Sequence, residues 1–291
     1  MEQSHARRTG AAHVASFAVR ALSIAASLAA LGASGCAATR KHAGPAVPAA
    51  KPDQEERPFH LLPPFELATT EDAIVRIVSD VTCTGTLIAE DLVLTAHHCV
   101  SARDDSGRTL RRDKDPEDIS IELGGDYLPW GEVKIRSIVS PDCGYTSGEG
   151  DIAILVLERR LIGISTLTPR IEAGPARNEL VDPVGFGRCG LSADAIHRVR
   201  RAGGRVESIS ASDFIADASI CPGDSGGPAF SREGGDVVGV ISASVMDADE
   251  NTTGASYFTR LDKWPELFSA AREIALGASP SELPPYRSCP R

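Results

Sequence analysis

The sequence predicts an all-β fold, a barrel or a sandwich. Short runs of β-branched and aliphatic residues recur between residues 73 and 245, separated by turn-forming residues. Helical periodicity is nearly absent, with one apolar-faced segment near the C-terminus as the exception. A chain of 291 residues has ample length for one large domain or two small ones.

The N-terminus does not belong to that fold. Arg7, Arg8 and Arg20 precede an apolar run from Ala21 to Leu31, and small residues follow, ending Ala33-Ser34-Gly35-Cys36. A basic stretch, a short apolar stretch and small residues make residues 1–35 an export signal. The run is too short for a comfortable transmembrane helix. Small residues directly before a cysteine look like a bacterial lipobox, with Cys36 as the lipidated first residue of the mature chain. Ala33 departs from that motif, which favours Leu there. Secretion after nearby cleavage and an uncleaved anchor are the alternatives. Residues 36–68 are rich in Ala, Pro and charge, lack apolar periodicity, and read as a tether.

The β runs then follow in order. Ala73-Ile74-Val75-Arg76-Ile77-Val78, Gly85-Thr86-Leu87-Ile88 and Leu92-Val93-Leu94-Thr95 come first. Residues 101–118 mix both charges densely and read as a solvated surface loop. Val133 to Val139 alternates, and Ile152 to Leu157 is continuously apolar at strand length. Val181 to Gly187, Gly204 to Ile209 and Val237 to Val245 extend the series. A helix is predicted over about 262–276. Asp262 is its expected cap, Trp264, Leu267, Phe268, Ala271 and Ile274 its apolar face, and Gly277 its stop. Residues 278–291 form a tail.

The net charge is −10 and the pI about 5.2, which argues against electrostatic nucleic-acid binding. An exported chain can carry disulfides, and seven cysteines less a lipidated Cys36 leave an even six.

Chemistry concentrates in Cys221-Pro222-Gly223-Asp224-Ser225-Gly226-Gly227-Pro228. Gly223, Gly226 and Gly227 can adopt positive φ and let a substrate approach the backbone. Such a loop lifts a serine hydroxyl and can aim the Gly223 and Ser225 N–H groups at one spot, an oxyanion hole. A serine hydroxyl needs a base. His98, in Thr95-Ala96-His97-His98-Cys99, follows an apolar strand, and Asp151 heads Gly150-Asp151-Ile152-Ala153-Ile154-Leu155. A metal centre on His97, His98 and Cys99 makes a poor chelate, since successive strand residues face opposite ways.

These three motifs, in the order His98, Asp151, Ser225, resemble the trypsin/chymotrypsin-like serine proteases. The resemblance spans roughly residues 73–272. Thr86-Leu87-Ile88, Ile138-Val139-Ser140-Pro141-Asp142 and Val184-Gly185-Phe186-Gly187 serve as further landmarks. It implies two packed six-stranded antiparallel β-barrels with a C-terminal helix within residues 69–277. The first barrel would lie at about 73–165, the second at about 170–260. Ser225 is implied as nucleophile, His98 as base and Asp151 as its orienting partner, with Ser242 bonded to Asp151. His97 stands where the family has a small residue and is left a supporting or incidental place. Ser219 would form the base of the primary pocket and Ser244 and Ser256 its walls, which favours small or medium uncharged side chains over Lys or Arg.

The resemblance implies a Cys83–Cys99 disulfide beside the histidine. The family's other bridges are not reproduced, and the family fold makes Cys189–Cys221 and Cys143–Cys289 the expected pairs. Animal members begin the mature domain with Ile-Val-Gly-Gly, whose amino group pairs with the Asp before the serine. No such start lies upstream of Cys83. Asp224 then needs another cation, for which Arg188 is one candidate, and no N-terminal activation is expected.

The implied protein is an exported, lipid-anchored serine endopeptidase acting on protein or peptide substrates. It needs no cofactor or metal and is expected to be a monomer. An inactive protease-fold binding lipoprotein and an esterase with the same triad are the rivals. Asp247, Asp249 and Glu250 read as a solvated acidic turn rather than a calcium site.

Overall fold

The computed structural model describes residues 69–125, 128–146, 148–189, 197–246 and 252–289. The export signal, tether and Cys36 lie outside the described residues, as do Asp247, Asp249 and Glu250.

The first barrel holds β1 (Ile74–Val78), β2 (Thr82–Ala89), β3 (Leu92–Thr95), β6 (Ser120–Leu123), β7 (Gly131–Val139) and β8 (Ala153–Leu157). It closes in the order β1-β2-β3-β8-β7-β6, every pairing antiparallel. β8 is buried along its whole length, as its unbroken apolar run requires. β7 alternates: Val133, Ile135 and Val139 are buried, Lys134 and Arg136 exposed.

Between β3 and β6 the chain makes a short helical turn, α1 (His97–Val100), and a hairpin of β4 (Ser101–Arg103) and β5 (Thr109–Asp113). The segment expected as a solvated loop is therefore partly ordered sheet. The last residue of β5, Asp113, accepts hydrogen bonds from inside the protein, and Lys114 beside it is buried. Charge concealed these buried positions in the sequence.

The second barrel holds β9 (Leu180–Gly185), β11 (Gly204–Ile209), β12 (Asp213–Ala216), β13 (Pro228–Ser231), β14 (Val237–Met246) and β15 (Thr252–Arg260). The order β9-β11-β12-β15-β14-β13 closes through a β13–β9 pairing, and the short β10 (Val199–Arg200) adds to β9. Phe214 and Phe258 stack in its core with ring centroids 5.0 Å apart. The fold is thus two six-stranded antiparallel barrels, as the resemblance implies.

A longer helix, α2 (Pro265–Ala275), packs on the first barrel through Leu267, Phe268, Ala271 and Ile274. Trp264, not Asp262, occupies its N-cap, and Pro265 opens the first turn, where its missing N–H costs nothing. Asp262 is instead paired with Arg260 at 2.6 Å. At the other end Arg136 donates to the carbonyls of Ile274 and Ala275, and Gly277 leaves the helix at φ +104°. The tail then returns to the first barrel, where Cys143 bonds Cys289 and Arg287 pairs with Asp142 at 2.7 Å.

Candidate functional site

The junction of the barrels collects the residues singled out in the sequence. α1 begins where β3 ends and places His98 at the cleft, 13% exposed in its side chain. Asp151 stands just before β8, and the β3–β8 register pairs Thr95 with Ala153. His98 and Asp151 thereby meet, although 53 residues separate them. Asp151 is fully buried. Its Oδ2 lies 2.8 Å from His98 Nδ1 and accepts from Ser242 Oγ at 2.5 Å. Its Oδ1 accepts from the His98 backbone N–H at 2.9 Å. A buried carboxylate with three such partners is satisfied as an anion. Thr259 Oγ1 also donates to the Asp151 carbonyl at 3.1 Å. Two hydroxyls from the second barrel thus hold an aspartate of the first.

Ser225 is half-buried, and its hydroxyl makes no hydrogen bond among the described residues. The loop around it is tightly determined. Gly223 has φ +101° and Gly226 φ +84°. A side chain at Gly226 would start 2.1 Å from Thr95 Oγ1, so only glycine fits. Gly227 does not adopt positive φ; its requirement is space, since a Cβ there would lie 2.3 Å from the Val184 carbonyl. The N–H groups of Gly223 and Ser225 find no acceptor among the described residues. Two unpaired donors beside a free hydroxyl form an arrangement able to receive a developing oxyanion.

Thr84, which the sequence did not single out, ties this loop to the first barrel. Its Oγ1 donates to the Gly223 carbonyl at 2.8 Å, and its N–H donates to the Ser225 carbonyl at 2.8 Å. The same Oγ1 accepts from Phe186 N–H at 3.0 Å.

Asp224 is fully buried, and its cation is Arg201 rather than Arg188. Arg201 Nε donates to Oδ2 at 2.8 Å and Nη2 to Oδ1 at 3.1 Å, a bidentate pair. The backbone N–H groups of Gly187 and Cys221 donate at 2.7 and 2.8 Å. A Cβ at either Gly185 or Gly187 would take the space of the carboxylate, which explains the Val184-Gly185-Phe186-Gly187 landmark. Arg188 instead donates its backbone N–H to Pro222. No free N-terminus is needed to neutralise Asp224.

The three disulfides join Cys83 to Cys99, Cys143 to Cys289 and Cys189 to Cys221. The third flanks the serine loop, and Arg201 Nη1 lies 3.5 Å from Cys189 Sγ. Cys83, Cys99 and His98 place ligand atoms within 4.8 Å of one another. The two sulfurs are bonded to each other and offer no thiolate, so this set does not suit a metal.

The expected pocket residues are only partly assembled. Ser244 and Ser256 face each other in the β14–β15 register, and their hydroxyls are 3.4 Å apart. Ser256 is buried and donates to the Ala218 carbonyl, while neighbouring Ser219 is exposed.

Two closed barrels meeting in this way, with the serine loop of one facing the histidine and aspartate of the other, define the chymotrypsin-like protease architecture. The chain belongs to the trypsin family, whose pattern, described as Trypsin, matches residues 72–264. It is similar to the peroxisomal leader peptide-processing protease of Mus musculus, 30% identical over 180 residues, and to that of Homo sapiens, 30% over 179. Each match covers 60% of this chain and 27% of the relative, so the chain spans about a quarter of these relatives' length. Among solved structures it resembles a Glu endopeptidase (TM-score 0.55, 16% identity, 73% of this chain and 94% of that one). It also resembles neuropsin from mouse brain (0.55, 16%, 69% and 95%) and the HL collagenase (0.52, 19%, 70% and 94%). At these identities the likeness is one of fold.

Proposed function

We propose that the protein is a serine endopeptidase that forms an acyl-enzyme. Ser225 attacks the scissile carbonyl. His98 takes the hydroxyl proton through Nε2 and later gives it to the leaving amine. Asp151 holds the Nδ1–H tautomer and stabilises the imidazolium. The Gly223 and Ser225 N–H groups receive the oxyanion. The observation that carries this reading is the buried Asp151 carboxylate bonded to His98 beside a serine loop with two unpaired N–H groups. The uncharged Ser244–Ser256 wall favours small or medium uncharged side chains next to the cleaved bond.

A fluorophosphonate probe tests the chemistry. It is expected to label the mature chain, with the adduct mapped to the peptide carrying Ser225 and peptide-library cleavage in parallel. Absence of labelling would favour the inactive binding protein, and ester turnover without peptide cleavage the esterase.

We further propose that the protease is exported and held at the cell envelope by a lipid on Cys36. The support is the basic, apolar and small-residue order of residues 1–36. In a bacterial host, Cys36→Ser should move the protein from the membrane to the soluble fraction. Unchanged membrane association would refute the anchor.

A further inference from the structure

A second histidine lies next to the candidate site without joining it. His97 is fully buried at the start of α1. Its Nδ1 is 2.6 Å from the carbonyl oxygen of Cys143, and its Nε2 is 2.7 Å from Asp113 Oδ1. A carbonyl oxygen only accepts, so Nδ1 carries a proton. Asp113 Oδ2 accepts from Ser140 Oγ at 2.8 Å. Burial raises the Asp113 pKa, but hydrogen bonds from His97 and Ser140 and the charges of His97 and Arg287 outweigh it and hold the carboxyl below its ordinary 3.8. An ionised Asp113 also only accepts. Each ring nitrogen of His97 therefore faces an acceptor, and only a ring protonated on both nitrogens would serve the two together.

The surroundings close this cluster. Tyr145 covers the ring with centroids 4.1 Å apart. Burial and the nearby Asp113 push the Tyr145 hydroxyl pKa up, so it stays neutral. Arg287 and Asp142, paired at 2.7 Å, are further charged groups acting on Tyr145, and Arg287 also acts on Asp113. His98, the next residue of α1, is hydrogen-bonded to Asp151 instead.

We propose that His97 is a positioning residue: a protonated imidazole, clamped between Asp113 and the Cys143 carbonyl, that holds His98 and Asp151 in register. The proposal rests on the reading of Ser225, His98 and Asp151 as an active site. One end of the clamp is His98 itself, the next residue along α1, whose first carbonyl is fixed by Ser101 Oγ at 2.8 Å. The other end is the loop leading to Asp151. A Cβ on Gly150 would lie 2.4 Å from Cys143 Sγ, and one on Gly144 would lie 2.0 Å from the Gly150 carbonyl. Cys143, Gly144 and Gly150 are thus in direct contact, and Asp151 follows Gly150. A single ring ties both partners of the His98–Asp151 hydrogen bond to the end of β5. A neutral ring has one N–H and would leave one of the two acceptors unserved.

Nitrogen-15 NMR of histidine-labelled mature protein tests the protonation directly, without reference to turnover. Both His97 ring nitrogens are expected to carry protons at pH 7. A neutral His97 at pH 7 overturns the proposal. Positioning is read from the low-field His98 Nδ1 proton and from kcat. His97→Phe keeps bulk but no donors, and should broaden or lose that proton signal and lower kcat by about 10- to 100-fold, with KM little changed. Asp113→Asn can donate to a neutral ring and should preserve both readouts, whereas Asp113→Ala should not. Retention of the His98 signal and of kcat in both His97→Phe and Asp113→Ala refutes the clamp. If wild type neither labels nor cleaves, the protease reading fails, and the two NMR signals still decide the clamp.

Discussion

Asp151→Asn is expected to lower kcat for peptide hydrolysis by about 10⁴-fold, the scale on which a wrong histidine tautomer costs this type of triad. The reason lies in the three donors around the carboxylate. Oδ1 accepts from the His98 backbone N–H, and Oδ2 faces His98 Nδ1 and accepts from Ser242. An asparagine has one acceptor oxygen and one donor group. If its oxygen keeps the backbone N–H, its NH2 donates to His98 Nδ1. The ring proton then sits on Nε2, which can no longer take a proton from Ser225. The flipped amide leaves an NH2 against the buried His98 N–H, which costs about 1–3 kcal/mol. The first state holds the wrong tautomer; the second keeps Nδ1–H but is disfavoured by that cost and lacks the carboxylate charge that stabilises the imidazolium. KM should change by only a few-fold, because Asp151 is buried away from substrate. A kcat within tenfold of wild type would remove Asp151 from the mechanism.

The second large effect concerns Arg201. Arg201→Ala leaves the Asp224 carboxylate fully buried with two backbone donors and no cation. Breaking a buried pair by removing one partner costs about 3–5 kcal/mol. The loop can escape that cost by turning Asp224 toward water, but Asp224 sits between Gly223 and Ser225. Turning it rotates the two N–H groups out of convergence. Fluorophosphonate labelling should therefore slow by about 10²–10³-fold, the scale of a lost oxyanion donor, and the thermal midpoint should fall. Arg201→Lys keeps a charge but not the fork, and should fall between. Arg188→Ala, which leaves the Asp224–Arg201 pair intact, is the comparison. Loss of labelling in Arg188→Ala with full labelling in Arg201→Ala would reverse the assignment.

Legibility in the sequence followed locality. β1, β3 and β8 are apolar runs broken by at most one polar residue, β7 alternates, and each is readable by itself. β12 and β13 hold four residues each, and β5 is written in Thr, Leu, Arg and Asp, so neither length nor polarity marks them. His98, Asp151 and Ser225 stand in short motifs of fixed composition. Arg201 does not: Arg198, Arg200, Arg201 and Arg205 crowd one stretch, and only folding brings one of them onto Asp224. Arg188 was the candidate nearer the glycine landmark, but its position on the chain says nothing about where its guanidinium points. The importance of His97 was hidden for the same reason, because its two partners lie 16 and 46 residues away. The N-cap position falls on Trp264, which makes no side-chain capping bond, while Asp262 pairs with Arg260.

Thr84 gives the molecule a thermodynamic property. It belongs to β2, yet it bonds the carbonyls of Gly223 and Ser225 and the N–H of Phe186, all on the other barrel. The affinity of the two barrels for each other and the shape of the Gly223–Ser225 loop are consequently one equilibrium. By mass action, any acyl or phosphonyl group seated on the Gly223 and Ser225 N–H groups also strengthens the seam between the barrels. Occupancy and cohesion rise together, so a group held on that loop acts as a fastener for the two barrels.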